Sequence, residues 1–353
     1  MSLKKILIVR FSAMGDVALL VPAVKSLTAA HPDVEVTVVT RPKFAPFFYD
    51  LERVITFPAD IDYTYTGIFG MRDLFRALVK KGDYDLFIDM HSNIRTVILR
   101  TLFKMFGTRV IVFDKGRKEK KAWARKDNKI TRPLIHTVER YRRAFEKAGF
   151  PFTLLNPPYF SLNDSLYAAA SDWLTQKKLQ KNERWIGIAP FAMHVSKIWP
   201  VENYAEVIRN ILERTDAKFF MFGGGEKEVR FFESLQKQFP DKIVIAAGVL
   251  KLRQEMALMQ QLDLMLSVDS SNMHLATLAG IPVLSIWGGT HPDVGFGPFK
   301  KGADSVMQIS RDELPCRPCS VYGRETCPVG GFPCQTRITA AMVAQRILGR
   351  LNN

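Results

Sequence analysis

Asp16, Lys197 and the run Asp269-Ser270-Ser271-Asn272-Met273-His274 are the residues of this chain whose types and positions best suit chemistry. Asp16 follows Gly15 at the head of an apolar periodic segment. A carboxylate there can take a proton from a hydroxyl nucleophile, or it can simply cap a helix. Lys197 lies in the loop 190–200 beside His194 and Ser196, where an ammonium can neutralise phosphate or merely sit at the surface. The Asp269 run joins a buried apolar stretch, 264–268, to a segment in which Leu275, Ala276, Leu278 and Ala279 recur at helical spacing. It therefore opens a helix, whose first N–H groups favour an anion. Capping by Asp269 and Ser270 is the plainer reading of the same residues. A further polar loop, Gly223-Gly224-Gly225-Glu226, offers an acid to a ribose or base but matches neither the dinucleotide fingerprint nor a P-loop.

The elements that must position these groups alternate between short β-branched runs and helical patterns. Strands are expected over 4–11, 35–40, 54–57, 86–89 and 109–113, with helices over 17–30, 74–79, 97–106 and 136–148. A Pro-rich stretch, 150–163, reads as a linker. A second series has strands over 185–189, 218–222, 243–246, 264–268 and 283–287, and an amphipathic helix over 338–351 closes the chain. Two α/β domains follow, with the polar loops at strand carboxyl ends, where open sheets bind ligands. Asp16 is on the first and the other loops are on the second, which predicts an interdomain cleft.

The 353 residues exceed one ordinary core, and a hydrophobic share of 47% with 24% charged matches a soluble globular protein. No apolar run approaches the roughly 20 residues of a membrane span. The N-terminus lacks the pattern of a signal peptide, so a cytoplasmic location is expected. The formal charge of +15 calls for a polyanionic partner, whether nucleic acid, anionic lipid or a phosphorylated small molecule. Its densest block runs over 115–126, from Lys115, Arg117 and Lys118 onward, and reads as a loop that is either solvated or binding. The four cysteines, Cys316, Cys319, Cys327 and Cys334, crowd into one Pro- and Gly-rich segment. That spacing fits a structural zinc site, with free thiols or two disulfides as alternatives.

Taken in order, ILIVRFSAMGDVALLVPAVKSL, KIWP, FGGGEKE and VDSSNMHLATLAGIPVLSIWGGTHP resemble the glycosyltransferase family 9 heptosyltransferases of lipopolysaccharide core assembly. The resemblance covers nearly the whole chain, although Ser271 stands where the family commonly has glycine. It implies a GT-B fold, two Rossmann-like α/β/α domains with a facing cleft. The implied division is an acceptor domain over 1–162, a nucleotide-sugar domain over 163–335 and a closing helix, 336–353, that returns to the first domain. The implied activity is an inverting, metal-independent transfer of a heptose, with ADP-heptose as donor and a phosphorylated glycolipid as acceptor. That places the enzyme peripherally at the inner face of the cytoplasmic membrane, with no cofactor needed for catalysis and no nucleic-acid partner. By the same resemblance Asp16 is the general base, Lys197 meets the donor phosphates and Glu226 the nucleoside. Asp269 holds the transferred sugar, and Ser270, Ser271 and His274 line the diphosphate. Lys115, Arg117 and Lys118 then meet the acceptor phosphates. The competing reading is a nucleic-acid-binding α/β protein that uses the basic block and a cysteine-rich zinc module.

Overall fold

The computed structural model describes residues 3–127, 129 and 132–352, and it divides into two units, each built on one all-parallel sheet. The first comprises Met1–Gly116 and Thr137–Ser161. Its elements are β1 (Lys4–Val9), α1 (Met14–Ala18), α2 (Val21–Ala30), β2 (Val34–Thr40), β3 (Val54–Pro58), α3 (Gly67–Lys81), β4 (Leu86–Asp89), α4 (Ile94–Met105) and β5 (Arg109–Val112). After them come α5 (Arg117–Trp123), which belongs to the second unit, and α6 (Thr137–Lys147), which belongs to the first. The strand order is β3-β2-β1-β4-β5. Ile6, Leu7, Ile8 and Val9 are wholly buried, as a central parallel strand covered on both faces requires. The order reverses between β1 and β4, whose register pairs Val9 with Asp89, so the loops after these two strands open side by side.

The second unit comprises Arg117–His136 and Leu162–Asn353. It continues with α7 (Asp164–Gln176), β6 (Arg184–Ala189), α8 (Asn203–Leu212), β7 (Ala217–Met221), α9 (Glu226–Gln238), β8 (Ile243–Ile245) and α10 (Leu252–Met259). Next are β9 (Leu264–Val268), α11 (Ser271–Ala279), β10 (Val283–Ile286), β11 (Val306–Met307), α12 (Pro333–Thr336) and α13 (Ala340–Leu351). The sheet order is β11-β10-β9-β6-β7-β8, with its reversal between β6 and β9. Their register pairs Ala189 with Ser267, which brings the Lys197 loop and the Asp269 loop out of neighbouring strands.

Two expectations about organisation need correction. The basic block is not a loop of the first domain: its core is α5, and the segment Arg117–His136 belongs to the second unit. The reason is packing. Lys120, Ala122 and Trp123 are buried, with the Trp123 ring tilted against His291 at 4.9 Å and beneath the Arg311 guanidinium at 5.1 Å. The Lys120 ammonium lies 3.9 Å from the Phe296 ring centroid, and the Lys129 ammonium donates to the carbonyls of Pro315, Cys316 and Arg317. The closing helix, expected to return to the first domain, packs on α8 and places Val343, Ala344, Ile347 and Leu351 in the second unit's core. Arg350 fastens its end by donating to the Val283 carbonyl at 2.7 Å. Among the described residues, no helix is long and apolar enough to cross a membrane.

Candidate active site

Lys197 and Asp269 meet in the second unit. The Lys197 ammonium lies 2.9 Å from Asp269 Oδ2, and the same oxygen accepts the Thr290 hydroxyl at 2.7 Å. Asp269 is 6% exposed and Thr290 fully buried, so the carboxylate is committed to these two groups and not to capping α11. Ser270 stands at the N-cap but makes no side-chain cap bond; its hydroxyl pairs with that of Ser267 at 3.1 Å. The reading of Asp269 and Ser270 as simple caps therefore gives way to a helix entrance with a cation fixed beside it, an arrangement that suits phosphate. Ser271 is the first residue of α11, and His274 is buried one turn later.

The backbone around Lys197 is held by residues far away in sequence. Ser196, fully buried, accepts the Gly289 N–H through its carbonyl at 2.8 Å and the Arg324 N–H through its hydroxyl at 2.8 Å. A Cβ at Gly288 would lie 2.6 Å from the Ser196 carbonyl oxygen, so only glycine permits this approach. Arg317, fully buried, donates to the carbonyls of Trp287, Gly288, Thr290 and Ile309 and to the Gln308 side chain. Burial pushes its guanidinium down to about 10, against the opposing pull of Cys334, Cys316 and Cys319. The loop that carries Thr290 is thereby tied to the cysteine segment.

In the first unit, Asp16 is the third residue of α1 and accepts the Ala13 N–H at 3.4 Å, a long contact. Its stronger partner is Arg10, whose guanidinium approaches Oδ2 at 2.6 Å. Arg10 is 5% exposed, donates to the Met90 carbonyl at 2.6 Å and lies over the Tyr141 ring at 5.9 Å. The Tyr141 hydroxyl in turn donates to the Asp16 carbonyl at 3.1 Å. Beside them the buried His91 accepts the Phe11 N–H on Nδ1 at 3.0 Å. Burial first, then Arg10 and Lys115, hold its imidazole down at about 3, so it is neutral. Asp89, wholly buried, accepts the N–H groups of His91 and Ser92 and pairs with Arg100 at 3.3 Å, which fixes the β4–α4 turn.

The structure brings some of the expected residues together and disperses others. Lys197, Asp269 and Thr290 meet, with Ser270, Ser271 and His274 following at the entrance of α11, while Arg10 and His91 stand with Asp16 and were not singled out by the sequence reading. Arg10 and Thr290 had one available signal, a cation and a hydroxyl placed just past buried strands. Glu226 opens α9 with its side chain exposed and paired to Arg230 at 2.7 Å, while Glu228 holds the glycine turn by accepting the Gly224 N–H. Lys115 remains in the first unit, close enough to act on His91, whereas Arg117 and Lys118 are exposed on α5 of the second. The cysteines form no metal site: among the described residues no three His, Cys, Asp or Glu are arranged to hold one. All four are free thiols. Cys319 Sγ meets the Gly289 carbonyl and Cys327 Sγ that of Gly330, while Cys334 is buried in the core, which pushes its thiol up to about 11.

Solved structures share this architecture along nearly the full chain. A family 9 glycosyltransferase from Veillonella parvula superposes with a TM-score of 0.76 at 19% identity, covering 100% of this chain and 98% of that one. The Escherichia coli ADP-heptose lipopolysaccharide heptosyltransferase II gives a TM-score of 0.70 at 20% identity, with 99% and 98% covered. Two parallel-sheet α/β units that match these structures define a GT-B fold. The chain belongs to glycosyltransferase family 9 (heptosyltransferase), whose sequence profile matches residues 71–327. It is 25% identical to the lipopolysaccharide core heptosyltransferase OpsX of Haemophilus influenzae over 308 residues, 87% of this chain and 84% of the relative.

Proposed function

We propose that the enzyme transfers a heptose from ADP-heptose to a phosphorylated glycolipid of the lipopolysaccharide core, by a single metal-independent displacement that inverts the anomeric centre. The pairing of Lys197 with the buried Asp269 and Thr290 at the start of α11 carries this reading. A diphosphate leaving group gains negative charge as its bond to the anomeric carbon breaks. A preset ammonium and a helix N-terminus stabilise that charge without reorganisation. The names of the relatives support heptose, the ADP donor and the core acceptor. In the same step the acceptor oxygen bonds to the anomeric carbon, its proton passes to the Asp16 carboxylate, and ADP departs with the electron pair. The acceptor's lipid places the enzyme at the cytoplasmic face of the inner membrane.

The test is transfer to a core acceptor from ADP-heptose, UDP-glucose and GDP-mannose, with and without a chelator, and with the product anomer read by NMR. Turnover with ADP-heptose that the chelator leaves intact and that yields the inverted anomer is the expected result. A preference for another nucleotide sugar, or a retained anomer, refutes the reading.

A further inference from the structure

Arg10 stands one residue past β1, and its backbone is pinned to the neighbouring strand β2. Its N–H donates to the Val39 carbonyl at 3.0 Å, and its carbonyl accepts the Thr40 hydroxyl at 2.7 Å. The side chain is fixed as firmly. Nη1 donates to the carbonyl of Met90, one residue past β4, and Nη2 meets Asp16 Oδ2, both at 2.6 Å. The Ala13 N–H reaches the same carboxylate oxygen at 3.4 Å. The guanidinium is buried, whereas the Asp16 side chain is 25% exposed. The buried partner is thus the anchored one, and the open partner is the one a substrate reaches.

The groups that face this pair from other elements are committed elsewhere. Tyr141, on α6, donates its hydroxyl to the Asp16 carbonyl at 3.1 Å, and burial raises the phenol far above its usual range, so it keeps its proton. His91, past β4, has the Phe11 N–H on Nδ1 and the Asn93 amide 3.0 Å from Nε2. Asp89 is wholly buried in its own turn and paired with Arg100. Lys115 and Arg41 add positive charge that is felt at His91. We propose that Arg10 is a positioning residue for the base: it keeps Asp16 ionised before the acceptor arrives and fixes the Oδ2 side of the carboxylate. A carboxylate paired with arginine is a weak base. It suits a displacement in which the acceptor oxygen turns acidic as it bonds to the anomeric carbon. Its proton then passes late to Asp16, while ADP leaves with the electron pair. The proposal rests on the transfer reading above and adds that transfer persists into acid.

The test pairs a titration with kinetics. The Asp16 carboxyl carbon, isotope-labelled, followed by NMR and assigned through Asp16→Asn, should titrate in the wild type below the free-aspartate value of about 3.9. In Arg10→Gln, which retains hydrogen-bond donors and lacks the charge, it should titrate about 1–3 pH units higher than in the wild type. Arg10→Lys should stay near the wild type. The acid limb of kcat at saturating ADP-heptose should follow the same order, with donor KM unchanged. Well below both midpoints Arg10→Gln should lose about tenfold for each unit of the shift. A packing role alone would lower thermal unfolding and leave the limb in place. A wild-type carboxylate that titrates at or above about 3.9, or a limb that Arg10→Gln does not move, would overturn the proposal. So would an Arg10→Lys limb displaced as far as that of Arg10→Gln. If the carboxylate titrates as expected but none of the three proteins transfers sugar from ADP-heptose, the functional reading falls and the charge pairing stands.

Discussion

Replacing Lys197 by methionine preserves the length of the side chain and removes its charge. Asp269, 6% exposed, then keeps the Thr290 hydrogen bond but loses the ammonium at 2.9 Å. At that separation and an effective dielectric constant of about 20, the Coulomb attraction is about 6 kcal/mol, much of it offset by the dehydration of both charges. Removing one partner of a buried pair costs about 3–5 kcal/mol. The Lys197 side chain is 18% exposed, so water reaches the vacated place and the lower end, about 3 kcal/mol, applies. Asp269→Asn leaves Lys197 able to hydrate and should cost about 1 kcal/mol. The double variant should then lose about 2 kcal/mol less than the sum of the singles. All five tryptophans, Trp123, Trp173, Trp185, Trp199 and Trp287, lie in the second unit, so tryptophan fluorescence during urea unfolding reports this unit alone. Single losses that add to within about 0.5 kcal/mol would refute the pairing as a stability determinant. The same titration with ADP present should stabilise the wild type and not Lys197→Met.

Further outcomes follow from the same geometry. Asp16→Asn should lower kcat by about 10²–10⁴-fold with little change in donor KM, read from initial rates at saturating acceptor. Gly288→Ala forces a methyl against the Ser196 carbonyl and should destabilise the second unit by about 1–3 kcal/mol and cut transfer, whereas nothing lies within 4 Å of a Cβ at Gly224 and Gly224→Ala should be near neutral by thermal unfolding. His91 is held neutral in the folded state, its pKa depressed from 6.5 to about 3 by burial and then by Arg10 and Lys115. Its contribution to stability is therefore present above pH 6.5 and is lost as pH falls towards 3, at up to about 1.4 kcal/mol per pH unit. Calorimetry of the first unit's transition should show that slope flattened in His91→Gln.

The central strands were legible because they are short apolar runs buried on both faces, so that Leu86–Asp89 and Leu264–Val268 stand where the apolar pattern puts them. The loops after β1, β6 and β9 were legible for the same reason. What escaped was set by distant partners. β11 spans only Val306–Met307 and exists because β10 pairs with it. The expected helix over 17–30 is two, α1 and α2, with the break just before Pro22. Arg10 and Thr290 gain their partners from a strand register and a turn, and the only local signal is their place just past buried strands. The helix α5 hid beneath its charge, since the buried faces of Lys120 and Trp123 are made by Phe296, His291 and Arg311.

The segment Arg117–His136 leaves the first unit and rejoins it at Thr137, after adding its residues to the second. A cut at the Pro-rich stretch over 150–163 would thus strip the second unit of Trp123 and strand the basic helix α5, with its buried Ala122 and Trp123, on the first. During synthesis the first unit can complete itself once Ser161 has emerged, while residues 117–136 must wait for Phe296 and Arg317. The second unit is finished last, by α13. Its core is therefore assembled from one of the earlier and the very latest parts of the chain, so that unfolding it by truncation from the C-terminus should release α5 as well.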